Sequence, residues 1–335
     1  MNAINKYTTI LLGAILLLTI ASCKKDSTTG ISVTGKYRVV NSSNPLPEYL
    51  LFYDNNTYSS LIQSKQGAHK VVKGVYSIHN NTLTQSEYYS LYLIEQTGDT
   101  LKLLASPGQP STSDKILVAD AAAPTEETWV QTVTPTKLRA TANLNPSSMA
   151  VVGTKLYTVY EYETYMHVFD LAANMELPQI VLTEPYRSIT NSGGVLYSAN
   201  STNKLIKLNT DGSIIMMYGL VTSQMYALAG NGPVIYSYNT SGQRFGSFNT
   251  STATNADEVN FEQTLTSLCY KGGYLYGTAY NYIYKIDIAT YTVVKSYHLP
   301  DDLVAQAIAS DGTNFWINVS SGYANTGYIA KITLD

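Results

Sequence analysis

The sequence predicts an all-β chain of two regions, a small antiparallel barrel followed by a five-bladed β-propeller closed by an N-terminal strand. Three observations carry this. In the second half a glycine is followed four residues later by a large aromatic five times, at Gly153/Tyr157, Gly193/Tyr197, Gly232/Tyr236, Gly272/Tyr276 and Gly312/Trp316. The glycines are 40, 39, 40 and 40 residues apart, the period of radial or stacked repeats with about four short strands each. In the first half, short alternating segments are broken by turns such as Asp54-Asn55-Asn56, His79-Asn80-Asn81 and Gly98-Asp99, which predict antiparallel hairpins. Finally, the fifth repeat ends without a fourth strand, while an orphan segment, Lys137–Leu144, precedes the first. A strand from the start of the ring completing the last blade would remove an exposed sheet edge.

Taken from the amino terminus, residues 1–22 read as an address. Lys6 precedes an apolar run from Ile10 to Ile20, too short to span a bilayer as a helix, and small residues lead into a cysteine. Ile20-Ala21-Ser22-Cys23 resembles a bacterial lipobox. The resemblance implies removal of residues 1–22, a diacylglyceryl group on the Cys23 sulfur and acylation of the new terminus. Lys24 after the cysteine implies, by the rule of that family, release to the outer membrane, facing the periplasm or the cell surface. Several acyl chains anchor firmly, at about 0.8 kcal/mol per buried CH2. Residues 23–34 would then be the lipidated cysteine and a polar tether.

Residues 35–121 form the first domain. Gly35-Lys36-Tyr37-Arg38-Val39-Val40, Tyr49–Tyr53, Thr57–Ile62, Gly74-Val75-Tyr76-Ser77-Ile78 and Thr100–Leu104 are its predicted strands. Their order resembles the lipocalin-like domains of bacterial lipoproteins, which implies a small barrel. A loop is expected at Ser106–Ser113 and a join at Ala121–Glu127.

Residues 128–335 form the second domain. Each repeat reads as a strand, a glycine turn, a second strand carrying the aromatic, a polar loop, a third strand and a variable fourth. Glycine suits the turn because a tight hairpin needs positive φ. The five aromatics are expected in the core, covered by neighbouring blades. The wording of Tyr282-Ile283-Tyr284-Lys285-Ile286-Asp287, repeated more weakly at Leu205–Gly212, resembles the YVTN-type and NHL-type propeller families. That resemblance implies a propeller fold and no particular activity.

Composition excludes several classes. With 21 Lys+Arg against 24 Asp+Glu and no cluster beyond Lys24-Lys25, nucleic acid is not an expected partner. Cys23 and Cys269 are the two cysteines, so no disulfide framework forms, and Cys269 in an apolar strand is expected to be a buried thiol. The four histidines are far apart and fall in no metal-ligand spacing, so neither metal nor cofactor is expected. Gly230-Asn231-Gly232 is a hairpin turn and not a dinucleotide fingerprint, since a strand follows it.

What accumulates is tyrosine, 29 residues against 6 phenylalanines, and many fall in the loops that open on one propeller face. Tyrosine gives a flat apolar surface and a hydroxyl at low entropic cost, which suits sugar rings and protein partners alike. The candidate ligand-binding residues are Tyr160, Tyr162, Tyr165, Tyr186, Arg187, Tyr280, Tyr282 and Tyr323, with Tyr160, Tyr162 and Tyr280 expected to be exposed. The leading reading is a non-catalytic, lipid-anchored envelope protein that binds a glycan or an envelope protein on this face. A scaffold of an outer-membrane complex is the second reading. A propeller hydrolase, lyase or cyclotransferase using a carboxylate such as Glu161 or Glu163 is the third.

Overall fold

A computed structural model describes residues 31–335 apart from 42–45, 47, 87–89, 106–112, 142–145, 221–224, 257 and 322–326. Cys23, the lipobox and Tyr323 lie outside the described residues.

The first domain is a closed eight-stranded antiparallel barrel: β1 (Gly35–Val39), β2 (Glu48–Phe52), β3 (Thr57–Gln63), β4 (His69–His79), β5 (Thr82–Gln85), β6 (Ser90–Thr97), β7 (Thr100–Leu104) and β8 (Lys115–Ala119), with β8 pairing back on β1. β1 to β4 and β7 coincide with the five predicted strands, whereas β5, β6 and β8 are additional to them. The interior is filled by side chains, among them Tyr37, Phe52, Tyr58, Tyr76 and Tyr92. Four consecutive residues of β3, Tyr58 to Leu61, are buried, because this part of the barrel is covered on both faces. Tyr58 points into the barrel, whereas Leu61 packs outward with Leu51 and Ala123 against Trp129.

A short helix α1 (Glu126–Trp129), capped by Thr125, leads to β9 (Gln131–Thr132) and β10 (Thr136–Thr141). Five sheets follow. Blade 1 is β11 (Ser148–Val152), β12 (Lys155–Val159), β13 (Tyr165–Asp170) and β14 (Met175–Val181). Blade 2 is β15 (Tyr186–Ser192), β16 (Val195–Asn200), β17 (Lys204–Leu208) and β18 (Ile214–Leu220). Blade 3 is β19 (Ala227–Asn231), β20 (Val234–Asn239), β21 (Arg244–Asn249) and a fourth edge in two pieces, β22 (Thr254–Asn255) and β23 (Val259–Asn260). Blade 4 is β24 (Ser267–Lys271), β25 (Tyr274–Ala279), β26 (Tyr282–Asp287) and β27 (Val293–His298). Blade 5 is β28 (Leu303–Ser310), β29 (Phe315–Ser321) and β30 (Gly327–Ile332).

The ring closes as the repeat count requires. β10 pairs antiparallel with β30, Thr136 opposite Lys331 through Thr141 opposite Gly327, and so supplies the fourth strand of blade 5. Not foreseen was β9, which adds a short parallel strand outside β27.

Local chemistry explains the repeats. The five turn glycines have φ between +57° and +89°, and an added Cβ there would meet nothing within 4 Å, so conformation and not space demands glycine. Gly230 is needed for the opposite reason: a Cβ would lie 2.5 Å from the Asn191 carbonyl oxygen of blade 2. The repeat aromatics Tyr157, Tyr197, Tyr236, Tyr276 and Trp316 are all buried, as is Cys269, whose thiol burial pushes upward. Serines stitch neighbouring inner strands: Ser148 Oγ donates to the Ile189 carbonyl at 2.9 Å, and Ser267 Oγ accepts from the Ile308 N–H at 3.2 Å.

The β3–β4 hairpin of the barrel is clasped to blade 4 and to the edge of blade 3. Gln66 accepts from the Val293 N–H through its carbonyl at 2.7 Å, and its side chain bonds the Asn260 carbonyl and the Glu262 N–H. Tyr282 Oη both accepts from the Val71 N–H and donates to the Val71 carbonyl, at 2.9 and 3.0 Å. The His69 and Trp129 rings stack with centroids 4.3 Å apart.

Candidate functional site

The inner strands β11, β15, β19, β24 and β28 surround the propeller axis, each beside the next. At one end of each, two residues face a single partner on the second strand. In β15 the register shifts between Tyr186 and Ser188, and in β28 between Ala305 and Ala307, which leaves Arg187 and Gln306 as the extra residues. In the other three blades the N–H of Ser147, Tyr226 and Thr266 bonds the carbonyl of Val159, Tyr238 and Thr278, the residues that Ser148, Ala227 and Ser267 already face. Such bulges re-aim side chains. The five residues so turned, Ser147, Arg187, Tyr226, Thr266 and Gln306, all line one cavity of about 490 Å³ at the mouth of the axis. Each is followed by a small, fully buried residue, Ser148, Ser188, Ala227, Ser267 or Ala307, that packs in the ring.

Every one of the five sits six residues before its repeat glycine. That register is present in the sequence, and of the five only Arg187 is among the residues expected from it to bind ligand. The mouth residues border the axis opening and differ from blade to blade, while their small successors must fit between two blades.

Arg187 is the cation of the mouth, whose lining also holds the carboxylates of Glu161 and Glu163. Its Nε lies 3.4 Å from Glu161 Oε1, a charge contact that makes no hydrogen bond, and its guanidinium sits over the Tyr226 ring with the centroid at 5.2 Å. Three other ring members are tied back to the protein. Ser147 Oγ donates to the Val159 carbonyl, Thr266 Oγ1 bonds Thr278, and Gln306 Nε2 donates to Ser320 Oγ. The mouth therefore presents a cation on an aromatic face within a frame of fixed polar groups.

Through Thr266 and Gln306 the mouth opens into a groove of about 810 Å³ that runs toward the barrel. Its lining is mostly hydroxyl and amide, including Gln263, Thr264, Asn281 and Ser320, with Tyr280 standing beside it. At the barrel end lies Lys70, whose ammonium has no ion-pair partner among the described residues and whose pKa burial lowers.

The sequence-predicted residues do not share one environment. Tyr162 and Tyr280, 85% and 65% exposed, stand on the rims of the mouth and the groove, and Arg187 lies between them in the ring. Tyr160, expected to be exposed, lines the mouth but is half-buried, because its ring packs edge-on to His167 at 5.0 Å, and burial pushes its pKa up to about 12. Tyr165 is exposed and lines none of these cavities. Two assignments need correction. Tyr186 is fully buried between blades 1 and 2, because the bulge turns Arg187 to the mouth and its neighbour inward. Tyr282 is spent on Val71 of the barrel, so it forms the buried back wall of the groove and holds the domains together.

Tyr280 also has φ +56° in the two-residue turn between β25 and β26. Asn or Gly would occupy this conformation more cheaply, by roughly 1 kcal/mol. Among the described residues no three His, Cys, Asp or Glu side chains converge as metal ligands would.

No protein-family model matches the chain, and no curated protein matches it. Among solved structures it is similar to a glutaminyl cyclase from Myxococcus xanthus, with a TM-score of 0.49 and 11% identity over 61% of this chain and 98% of that one. It is also similar to the Pan2 WD40 domain of Neurospora crassa, with a TM-score of 0.34 and 9% identity over 94% and 93%. At these values neither likeness carries an argument about function, and the assignment of an all-β barrel and five-bladed propeller rests on the strand pairing itself.

Proposed function

We propose that this chain is a lipid-anchored envelope protein whose propeller binds a glycan, without chemistry, along the groove from Lys70 to Arg187. The carrying observation is the lining: mostly hydroxyl and amide groups, with Lys70 and Glu262 among them, along a groove of about 810 Å³ with exposed tyrosine faces at its rim. Sugars present the same two features, a hydroxyl edge and an apolar face, and Tyr280 and Tyr162 are placed to stack on the latter. The strained turn at Tyr280 supports the reading, since a tyrosine held where glycine is easier has a use there. Arg187 and Lys70 add donors for hydroxyl, carboxylate or sulfate oxygens. The lipobox resemblance at Cys23 supports the anchor.

The test is affinity gel electrophoresis of the protein through a panel of polysaccharides, neutral and acidic, beside a Tyr162→Ala/Tyr280→Ala/Arg187→Ala variant. The expected result is retardation by at least one glycan, lost by about tenfold or more in the variant, as removal of stacking and charged contacts predicts. Retardation by none of them would overturn the glycan reading and turn attention to a protein partner on the same face.

A further inference from the structure

The seam where the ring closes holds a second cavity. Between blade 5 and blade 1 lies a slot of about 280 Å³, lined on one side by Arg139, Asn318 and Ile329 and on the other by His167, Phe169 and Glu176. Arg139 belongs to the closing strand β10, so the slot exists only in the closed ring. It shares no lining residue with the groove and touches the mouth only through Tyr160, which lines both.

Its chemistry is unbalanced in a specific way. Asn318 is 1% exposed, and its side-chain Oδ1 has no hydrogen-bond partner. A buried acceptor left in this state costs about 1–3 kcal/mol and calls for a donor. Arg139 lies over the Phe169 ring at 5.6 Å and pairs in charge with Glu176 at 3.8 Å, too long for a hydrogen bond, so its forked donors make no hydrogen bond among the described residues and a ligand carboxylate takes them by displacing Glu176. By contrast His167 is fully engaged. Its Nε2 is 3.0 Å from Glu163 and its Nδ1 3.1 Å from Gln179, which fixes the ring as a wall. Phe169 and Ile329 supply an apolar side. The volume corresponds to about nine waters at about 30 Å³ each, the scale of one small organic molecule.

We propose that the seam slot binds a small carboxylic acid that also carries a hydroxyl or ammonium donor, a molecule the size of an amino acid or a sugar acid. The carboxylate takes the Arg139 fork, the donor reaches Asn318 Oδ1, and the carbon skeleton lies on Phe169 and Ile329. Because its contacts come from both the closing blade and the first blade, the ligand ties the ring shut, and occupancy raises the melting temperature.

The purified full chain is melted and titrated calorimetrically at neutral pH with L-serine, L-glutamate, gluconate, glucuronate and acetate. The expected result is that an amino acid or a sugar acid raises the melting temperature and binds, whereas acetate, which lacks the donor, does neither; the arm that binds names the source. Arg139→Gln weakens that binding by about tenfold. Asn318→Leu abolishes it while leaving the unliganded melting temperature unchanged or higher, since an orphan acceptor is replaced by apolar atoms. A panel in which no member shifts the wild-type melt, or binding that Arg139→Gln leaves intact, overturns the proposal. Should Asn318→Leu fail to fold, Arg139→Gln, half exposed on the outer strand, decides alone.

Discussion

The barrel and the propeller are both closed all-antiparallel assemblies at their core, yet one hides its interior and the other displays it. In the barrel a single sheet of eight strands curls until β8 meets β1, and the space inside is occupied by tyrosine and phenylalanine rings. In the propeller five separate sheets stand around an axis, and their inner strands cannot meet at a point. An opening remains, and the bulge at the end of each inner strand turns one side chain into it. The comparison shows why tyrosine means different things in the two halves: packing material in the barrel, and both packing and rim in the propeller. It also shows what closure requires. The barrel closes with its own consecutive strands, whereas the propeller depends on β10, which is more than 180 residues distant in sequence from β30.

The largest effect should come from removing that dependence. A chain beginning at Ala123 keeps β10 and is expected to stay soluble. One beginning at Pro146 lacks it, exposes β30 as an edge, and is expected to aggregate or lose a cooperative transition, a loss on the order of the whole 5–15 kcal/mol of a domain. Equal melting curves by circular dichroism would break the closure argument.

A smaller effect distinguishes independent regions from clasped ones. Leu83→Ala in the barrel and Ile283→Ala in the propeller both empty fully buried sites and should each destabilise by about 2–5 kcal/mol. If the clasp of Gln66, Val71 and Trp129 couples the two, calorimetry gives one transition that both substitutions shift, and Trp129→Ala divides it in two. Two transitions in the parent protein would show that the regions unfold separately.

The smallest concerns Glu126 at the junction. Burial opposes its charge, yet hydrogen bonds from Ser59, Lys73 and Tyr53 outweigh burial and hold the carboxyl below its ordinary value. A carboxyl held low in the folded state stabilises the fold above its unfolded pKa, and that contribution is lost as pH falls through the folded value. Glu126→Gln should therefore melt lower than the parent at pH 7, by the equivalent of about 1 kcal/mol. The gap should close as the pH falls below the ordinary glutamate range. A gap independent of pH would assign the effect to packing.

Much of this was legible in the residues. A fixed glycine-to-aromatic step at a constant period can be satisfied only by repeated hairpins of one length, so blade number, the five core aromatics and the missing fourth strand followed from spacing alone. Barrel strands such as β5 were not legible, since a short strand is held by its neighbours' pairing and not by its own composition. The exposure of Tyr162 and Tyr280 followed from their place in polar loops. The burial of Tyr186 and Tyr282 did not. One depended on which way a bulge turned, and the other on a barrel hairpin about 211 residues away in sequence.

The sequence by itself therefore determined the repeat, the fold class and the face on which loops gather, because these rest on local conformational preference and periodic burial. Only the tertiary structure decided which residues stand in the mouth, that the groove ends on Lys70, and that a polar slot lies in the closing seam. Those features arise where segments distant in the chain meet, and local spacing holds no record of which partner a side chain finds there.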